Sequence, residues 1–183
     1  LAGFLFLSQI YTRSIFATPE FALLVVNIFS YLSGPKEKLI MNLFEKFQIA
    51  PDIWDFIFVP NQKINFRPGQ FLEWTLPHKS PDSRGNRRYF TIASSPTENA
   101  LRLGVKFTSD GSSFKKALLT MDEHSLIVGG QRGGEFTLPK NKHQKCVFIA
   151  GGIGITPFRS MIKYLIDTKE QRPIIVMYAN KTP

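Results

Sequence analysis

Between residues 39 and 138, apolar and polar positions alternate over short stretches broken by Gly, Pro, Asn and Ser. A period of two is the signature of strands with one buried face. Residues 39–48 and 53–59 read as two antiparallel strands joined through Pro51 and Asp52. Residues 70–76 (QFLEWTL), 89–93 and 101–107 are further strands, each bounded by turn-forming residues. Residues 112–121 break the pattern and predict a short helix, with Ser112 or Ser113 as its N-cap. Residues 126–128 and 135–138 are expected to complete a small antiparallel β-barrel.

The pattern changes near Lys145. Residues 146–150 (CVFIA) form an apolar run, as expected for a strand buried on both faces. Phe158, Met161, Ile162, Leu165 and Ile166 then recur at helical spacing, and residues 173–178 (PIIVMY) give a second buried strand. This is one β-α-β unit. One such unit cannot cover both faces of a doubly wound sheet, so a truncated nucleotide-binding α/β domain is expected. The chain begins with Leu, and a longer reading frame is expected on that side too.

At the other end, residues 21–32 carry no charge. Extending the run back to Ser14 reaches the roughly 20 residues a spanning helix needs. Pro19 and Glu20 then lie near one end, and Lys36 and Lys38 suit a cytoplasmic flank. A membrane helix is expected, with a soluble amphipathic helix as the alternative. A secretory signal peptide fits poorly, because a basic start and a small-residue cleavage site are both missing. The expected organisation is a membrane-domain end over 1–34, a β-barrel over 36–142 and the start of a nucleotide domain over 144–183. In fold class this is a multi-part α+β chain: membrane helix, antiparallel β-barrel, and the first β-α-β unit of an α/β domain.

Composition narrows the chemistry. Among 183 residues, 43% are hydrophobic and 20% charged, which excludes intrinsic disorder. One Cys and three His exclude a disulfide scaffold, a four-cysteine zinc site and a cysteine-ligated cluster, and no metal site is expected. His78, His124 and His143 have no mutual metal spacing and read as surface or loop residues, and Cys146 reads as an inert thiol in a strand. The net charge is +9, and residues 1–33 contribute only Arg13 and Glu20 to it. A basic body suits phosphate-bearing ligands, an anionic membrane or nucleic acid. Nucleic acid is not expected, since neither a zinc-finger spacing nor an RNP-like stretch occurs.

Three segments carry candidate chemistry. In RYFT (88–91), Arg88 and Phe90 point to one face of a strand while Tyr89 and Thr91 point to the other. A guanidinium can hold a phosphate through paired charge-assisted bonds, and an aromatic beside it can stack on a planar ring. Gly111, Ser112 and Ser113 open the short helix, where amides face an anion at the positive end of the dipole. A plain N-cap accounts for those residues equally well. In GGIGITP (151–157), Gly151, Gly152 and Gly154 let backbone approach a dinucleotide after a buried strand, and Thr156 with Pro157 opens a helix. The alternative is that these glycines only pack a helix on a strand.

Together with RPGQF (67–71), RYFT and GGIGITP resemble, in order and spacing, the ferredoxin–NADP reductase-like FAD-binding oxidoreductases. The resemblance implies that Arg88 binds the flavin phosphates, Phe90 stacks on the isoalloxazine, Tyr89 is a further cofactor contact, and Thr91 hydrogen-bonds the N5 edge as the catalytic contact. Phe90 stands where the family has Tyr, so a hydroxyl is missing. Gly111, Ser112 and Ser113 would take the flavin diphosphate, and two phosphate elements favour FAD over FMN. Ser113 lies one residue early for the family's spacing. Gly151, Gly152, Gly154, Thr156 and Pro157 would meet NADH or NADPH, beside the flavin. The FALLVVNIFSYLSGP stretch is also similar to the membrane subunits of sodium-pumping NADH:quinone reductases. The implied function is electron transfer from NAD(P)H through FAD to an unidentified acceptor in or near the membrane, with the flavin domain on the cytoplasmic side. A flavin-binding relay or redox sensor without NAD(P)H turnover is the alternative.

Overall fold

The structure, a computed structural model, describes residues 18–33 and 39–180. It divides into two compact units, Leu1–Glu37 and Lys38–Pro183. The described part of the first unit is helix α1, Pro19–Ser33. Pro19 suits a first helical position, where its missing N–H costs nothing, and the Thr18 hydroxyl accepts from the Phe21 amide at 3.2 Å. Leu23, Leu24, Val26, Ile28 and Phe29 are all exposed. The helix has 15 residues. At ~1.5 Å per residue it reaches about 22 Å, short of a ~30 Å hydrocarbon core. The expected transmembrane helix is therefore corrected: among the described residues no helix is long and apolar enough to cross a membrane. Residues 14–17, which that expectation also used, lie outside the described residues.

The second unit opens with a six-stranded antiparallel sheet in the order β4-β3-β6-β1-β2-β5. Its strands are β1 (Leu39–Ala50), β2 (Ile53–Pro60), β3 (Phe71–Thr75), β4 (Arg87–Thr91), β5 (Leu101–Lys106) and β6 (Leu126–Gly133). Alternate residues of β5 are buried, as the period-two pattern requires. Register shifts in β1 after Leu43 and Gln48 mark irregularities of the kind that bend a strand and let a sheet curl. Beyond β4 the chain reaches β5, where the Ala93 amide donates to the Arg102 carbonyl at 2.9 Å.

Inside lie Met41, Phe56, Phe58, Leu72, Trp74 and Leu103, all fully or almost fully buried. Helix α2 (Ser113–Thr120) inserts Phe114 and Leu118, one turn apart, into this core. Lys46 reaches the other end of α2 and donates to the Leu119 and Met121 carbonyls at 2.5 and 2.6 Å. A cation there satisfies carbonyls that the helix leaves unpaired.

The expected strand at 135–138 does not form. Gly134, at φ +105, breaks β6, and the Phe136 carbonyl crosses Gly69 so closely that a Cβ there would sit 2.1 Å from its oxygen. Only glycine allows that approach at φ +97. Phe136 instead meets Phe158 edge-on, with ring centroids 5.4 Å apart.

The chain then forms β7 (Cys146–Gly151), one 3-10 turn (Gly152–Ile155), α3 (Thr156–Asp167) and β8 (Ile174–Ala179), with β7 and β8 parallel. The expected β-α-β unit is present. Its strands, however, are not buried on both faces: Phe148 and Ala150 pack under α3, while Val147, Ile149, Ile175 and Met177 are exposed. Ile166, counted in the expected helical stripe, is also exposed. Phe158, Met161 and Leu165 carry the contact.

Candidate functional site

The β-α-β unit is fastened to the barrel through the segment after β4. The Ser160 hydroxyl donates to the Ser94 carbonyl at 2.6 Å in a fully buried contact. Arg159 donates to the Ala93 carbonyl at 2.8 Å and forks onto the Glu98 carboxylate at 2.8 and 3.0 Å. Burial raises the Glu98 pKa, but the Arg159 hydrogen bond and charge outweigh it and hold the carboxyl below its ordinary value. Gly104 on β5 also allows a close approach: a Cβ there would lie 2.9 Å from the Thr156 methyl.

This docking encloses a cavity of about 500 Å3 at the carboxyl ends of β7 and β8. Gly152, Ile153, Thr156 and Tyr178 line one side, and Asp55 and Gly104 the other. In open α/β sheets the crevice beyond the strand ends is where ligands bind. A Cβ built at Gly151, Gly152 or Gly154 meets nothing within 4 Å. Among the described residues, none of these glycines is thus required by a close helix-on-strand contact. Of the three, only Gly152 has a backbone that demands glycine, at φ +49. Asp55 is buried beside this cavity, donated to by the Arg102 guanidinium, with Nε at 2.9 Å. Burial pushes its carboxyl up despite that partner.

A second site forms around β4. Arg88, Tyr89, Phe90, Gly111 and Ser112 line one cavity of about 260 Å3, together with Lys115. The structure therefore brings together residues from two of the three sequence segments. A larger cavity of about 780 Å3 shares Arg84, Asp110, Gly111 and Ser112 with it, and adds His78, Asp82, Ser113 and Lys116. Thr91, Gly151, Gly154 and Pro157 line none of these three cavities.

Each side chain has an identifiable support. Arg88 and Phe90 share a face, as expected. Phe114 lies under both, with its ring centroid 5.6 Å from the guanidinium carbon and 5.8 Å from the Phe90 ring. Tyr89 is exposed on the opposite face, donates to Glu73 at 2.7 Å and meets Phe71 edge-on. Ser112 is the N-cap of α2, accepting from the Lys115 amide at 3.4 Å, while Ser113 is its first helical residue.

Three participants were not assigned from the sequence. His78 Nδ1 lies 2.7 Å from the Leu76 carbonyl, so it carries a proton, and Nε2 meets the Ser113 hydroxyl at 3.0 Å. Lys115 donates to the Lys106 carbonyl at 2.6 Å, and its pKa is lowered by burial and by the Arg84 charge. Its place two residues beyond Ser113, in the first turn of α2, was the available signal. Asp82 takes Arg88 Nη2, both of its oxygens accepting from that one nitrogen at 2.7 and 2.8 Å. Nothing in the local sequence singled it out.

Burial raises the Asp82 pKa, but the Arg88 hydrogen bonds outweigh this and bring the carboxyl from 3.8 down to about 2. A lowered folded-state pKa contributes stability above the unfolded value, and that stability is lost as pH falls through the folded one. Thermal melts should therefore decline more steeply between pH 3.8 and about 2 for the wild type than for Asp82→Asn. Parallel curves would mean that the pair adds nothing to folding.

An antiparallel sheet curled around one core, followed by a parallel nucleotide-type unit with a bare glycine turn, is the fold of ferredoxin–NADP reductase-like oxidoreductases. Residues 148–183 match the family described as oxidoreductase NAD-binding domain. Among solved structures, phthalate dioxygenase reductase, described as a modular structure for electron transfer from pyridine nucleotides to a 2Fe–2S centre, aligns with TM-score 0.67. Identity is 27%, over 80% of this chain and 44% of that one. The ferredoxin reductase component of the Rhodococcus rhodochrous 3-ketosteroid-9-alpha-monooxygenase is 32% identical over 120 residues, 65% of this chain and 33% of the relative. The Escherichia coli NADH oxidoreductase HCR is 25% identical over 137 residues, 74% and 41% respectively. The chain thus spans less than half the length of these relatives.

Proposed function

We propose that this chain is the flavin-binding and nucleotide-loop portion of an FAD-dependent NAD(P)H oxidoreductase that passes electrons to an acceptor. The observation that carries the reading is the bare glycine turn. Three glycines stand at or just beyond the end of β7 with open space where their side chains would be, as a closely approaching dinucleotide requires. Arg88, Tyr89, Phe90 and Thr91, with Gly111, Ser112 and Ser113, would hold FAD. Gly151, Gly152, Gly154, Thr156 and Pro157 would hold NADH or NADPH. When bound, the flavin supplies the hydride-accepting chemistry. The chain's own residues orient and neutralise: Arg88 and Lys115 offset phosphate charge, and the Arg159–Glu98 pair holds the glycine turn against the barrel. Relatives named as NADH oxidoreductase and as a monooxygenase reductase component support an acceptor on another protein or domain.

Arg88→Ala removes charge-assisted contacts to a phosphate and should weaken FAD binding by about tenfold to a hundredfold, or about 1.5–3 kcal/mol. Fluorescence titration measures it, and unchanged affinity would remove Arg88 from the site. If FAD binds but neither nicotinamide nucleotide reduces it, the relay or sensor reading takes over.

Membrane association is proposed in a reduced form. The exposed apolar side chains of α1 support a helix lying in a membrane interface, with the flavin domain on the cytoplasmic side. Vesicles of mixed neutral and anionic lipid should carry the full chain upward on flotation, and a form lacking residues 1–33 should stay behind. Equal flotation of the two forms would end this proposal.

A further inference from the structure

Two elements that suit a phosphate, the Arg88 guanidinium and the amide end of α2, meet on one protein carboxylate. Asp82 accepts two bonds from Arg88 Nη2 and a third from the Ser113 amide at 3.3 Å. It is fixed from both sides, its own amide donating to the Ser113 hydroxyl at 2.9 Å and its carboxylate accepting from the Arg84 amide at 3.0 Å. Arg88 Nη1 is likewise committed, to the carbonyls of Arg84, Gly85 and Arg87 at 3.1, 2.9 and 2.6 Å. The Arg88 side chain is only 12% exposed. Its one uncommitted donor, Nε, is buried without a partner.

We propose that Asp82 is a built-in competitor for the phosphate position, and that the loop over residues 78–86 must release Arg88 Nη2 before a flavin nucleotide can pair with it. A carboxylate and a phosphate compete for the same donor nitrogen, Arg88 Nη2, so both cannot hold it at once. The loop is suited to yield. Lys79, Ser80, Pro81, Ser83 and Arg84 are exposed, and Gly85, at φ +68, has nothing packed where a side chain would be. One cation beside Asp82 lies outside the loop and stays when it moves: Lys115 lines the small cavity beside Arg88. The loop thus acts as a strap. It favours ligands carrying phosphate, which can displace Asp82, over the uncharged flavin, which cannot.

This inference rests on the flavin reading, and the test separates the two. FAD and riboflavin are titrated against the full chain as wild type, Asp82→Asn and Asp82→Ala, with association followed by stopped flow. Asp82→Asn keeps a neutral partner for Arg88 should the alanine variant fold poorly. Removing the carboxylate should tighten FAD at least tenfold and speed its association, leaving riboflavin affinity within twofold. FAD binding that is unchanged or weaker in Asp82→Asn overturns the strap and makes Asp82 a positioning residue for Arg88. Equal gains for riboflavin overturn it as well, because the effect would not be phosphate-specific. Failure of every form to bind FAD overturns the flavin reading, and the strap with it.

Discussion

Gly151→Val is expected to leave the fold intact and to weaken NADH or NADPH binding by more than about a hundredfold, or about 2.7 kcal/mol. The two halves of this result have separate causes. Gly151 sits at φ −121 and ψ 126, a strand conformation that Val adopts without strain, and its Cβ would meet nothing within 4 Å. A substitution in open space shifts stability by no more than about 0.5 kcal/mol. The same open space is where a nucleotide has to bring its phosphates against bare backbone, and a branched side chain fills it. Titration with each nucleotide, alongside thermal melts, reads both quantities. Unaltered nucleotide affinity would mean that the ligand does not cross this turn, and the observation carrying the proposed function would be lost. A large fall in melting temperature would instead show that the glycine is structural.

The second large effect is on stability. Trp74→Ala should cost about 3–5 kcal/mol, a large share of the ~5–15 kcal/mol typical of a domain. Trp74 is fully buried, packs its ring 5.4 Å from that of Phe58 and lies near the Phe90 carbonyl, with Nε1 at 3.4 Å. Its removal opens a cavity between β2 and β3 that rigid strands can only partly close. Urea unfolding measures the loss, and the midpoint should fall with little change in slope. A loss below about 1 kcal/mol would mean that the barrel core repacks around the vacancy. Because β4 pairs with β3 along its whole length, FAD affinity should fall as well, although Trp74 lines none of the described cavities.

Much of the barrel was legible because its strands obey a two-residue period with Gly, Pro and Asp at their ends. β1, β2, β3, β4 and β5 lie within a few residues of their expected positions. The helix after Ser112 was legible for the same local reason, as was the β-α-β unit. The expected strand at 135–138 failed because a two-residue period cannot report the left-handed turn at Gly134 or the crossing over Gly69. Burial of β7 and β8 failed differently. An apolar run shows which residues can be covered and is silent on how many faces a neighbour covers. The spanning helix failed on length, since hydropathy continues past the point where the described helix begins.

The candidate site divides along the same line. RYFT and GGIGITP were visible because their roles depend on residues adjacent in the chain: alternation along a strand, and glycines after one. Sequence by itself therefore determined the type of fold and the two segments of candidate chemistry. Only tertiary structure decided that Asp82 holds Arg88, that His78 reaches Ser113, and that Arg159 grips Glu98. Those pairs join residues up to 61 positions apart, across loops whose course no local pattern fixes. An ion pair also depends on distance and burial, and both arise only when the sheet curls and the helix N-terminus arrives beside β4.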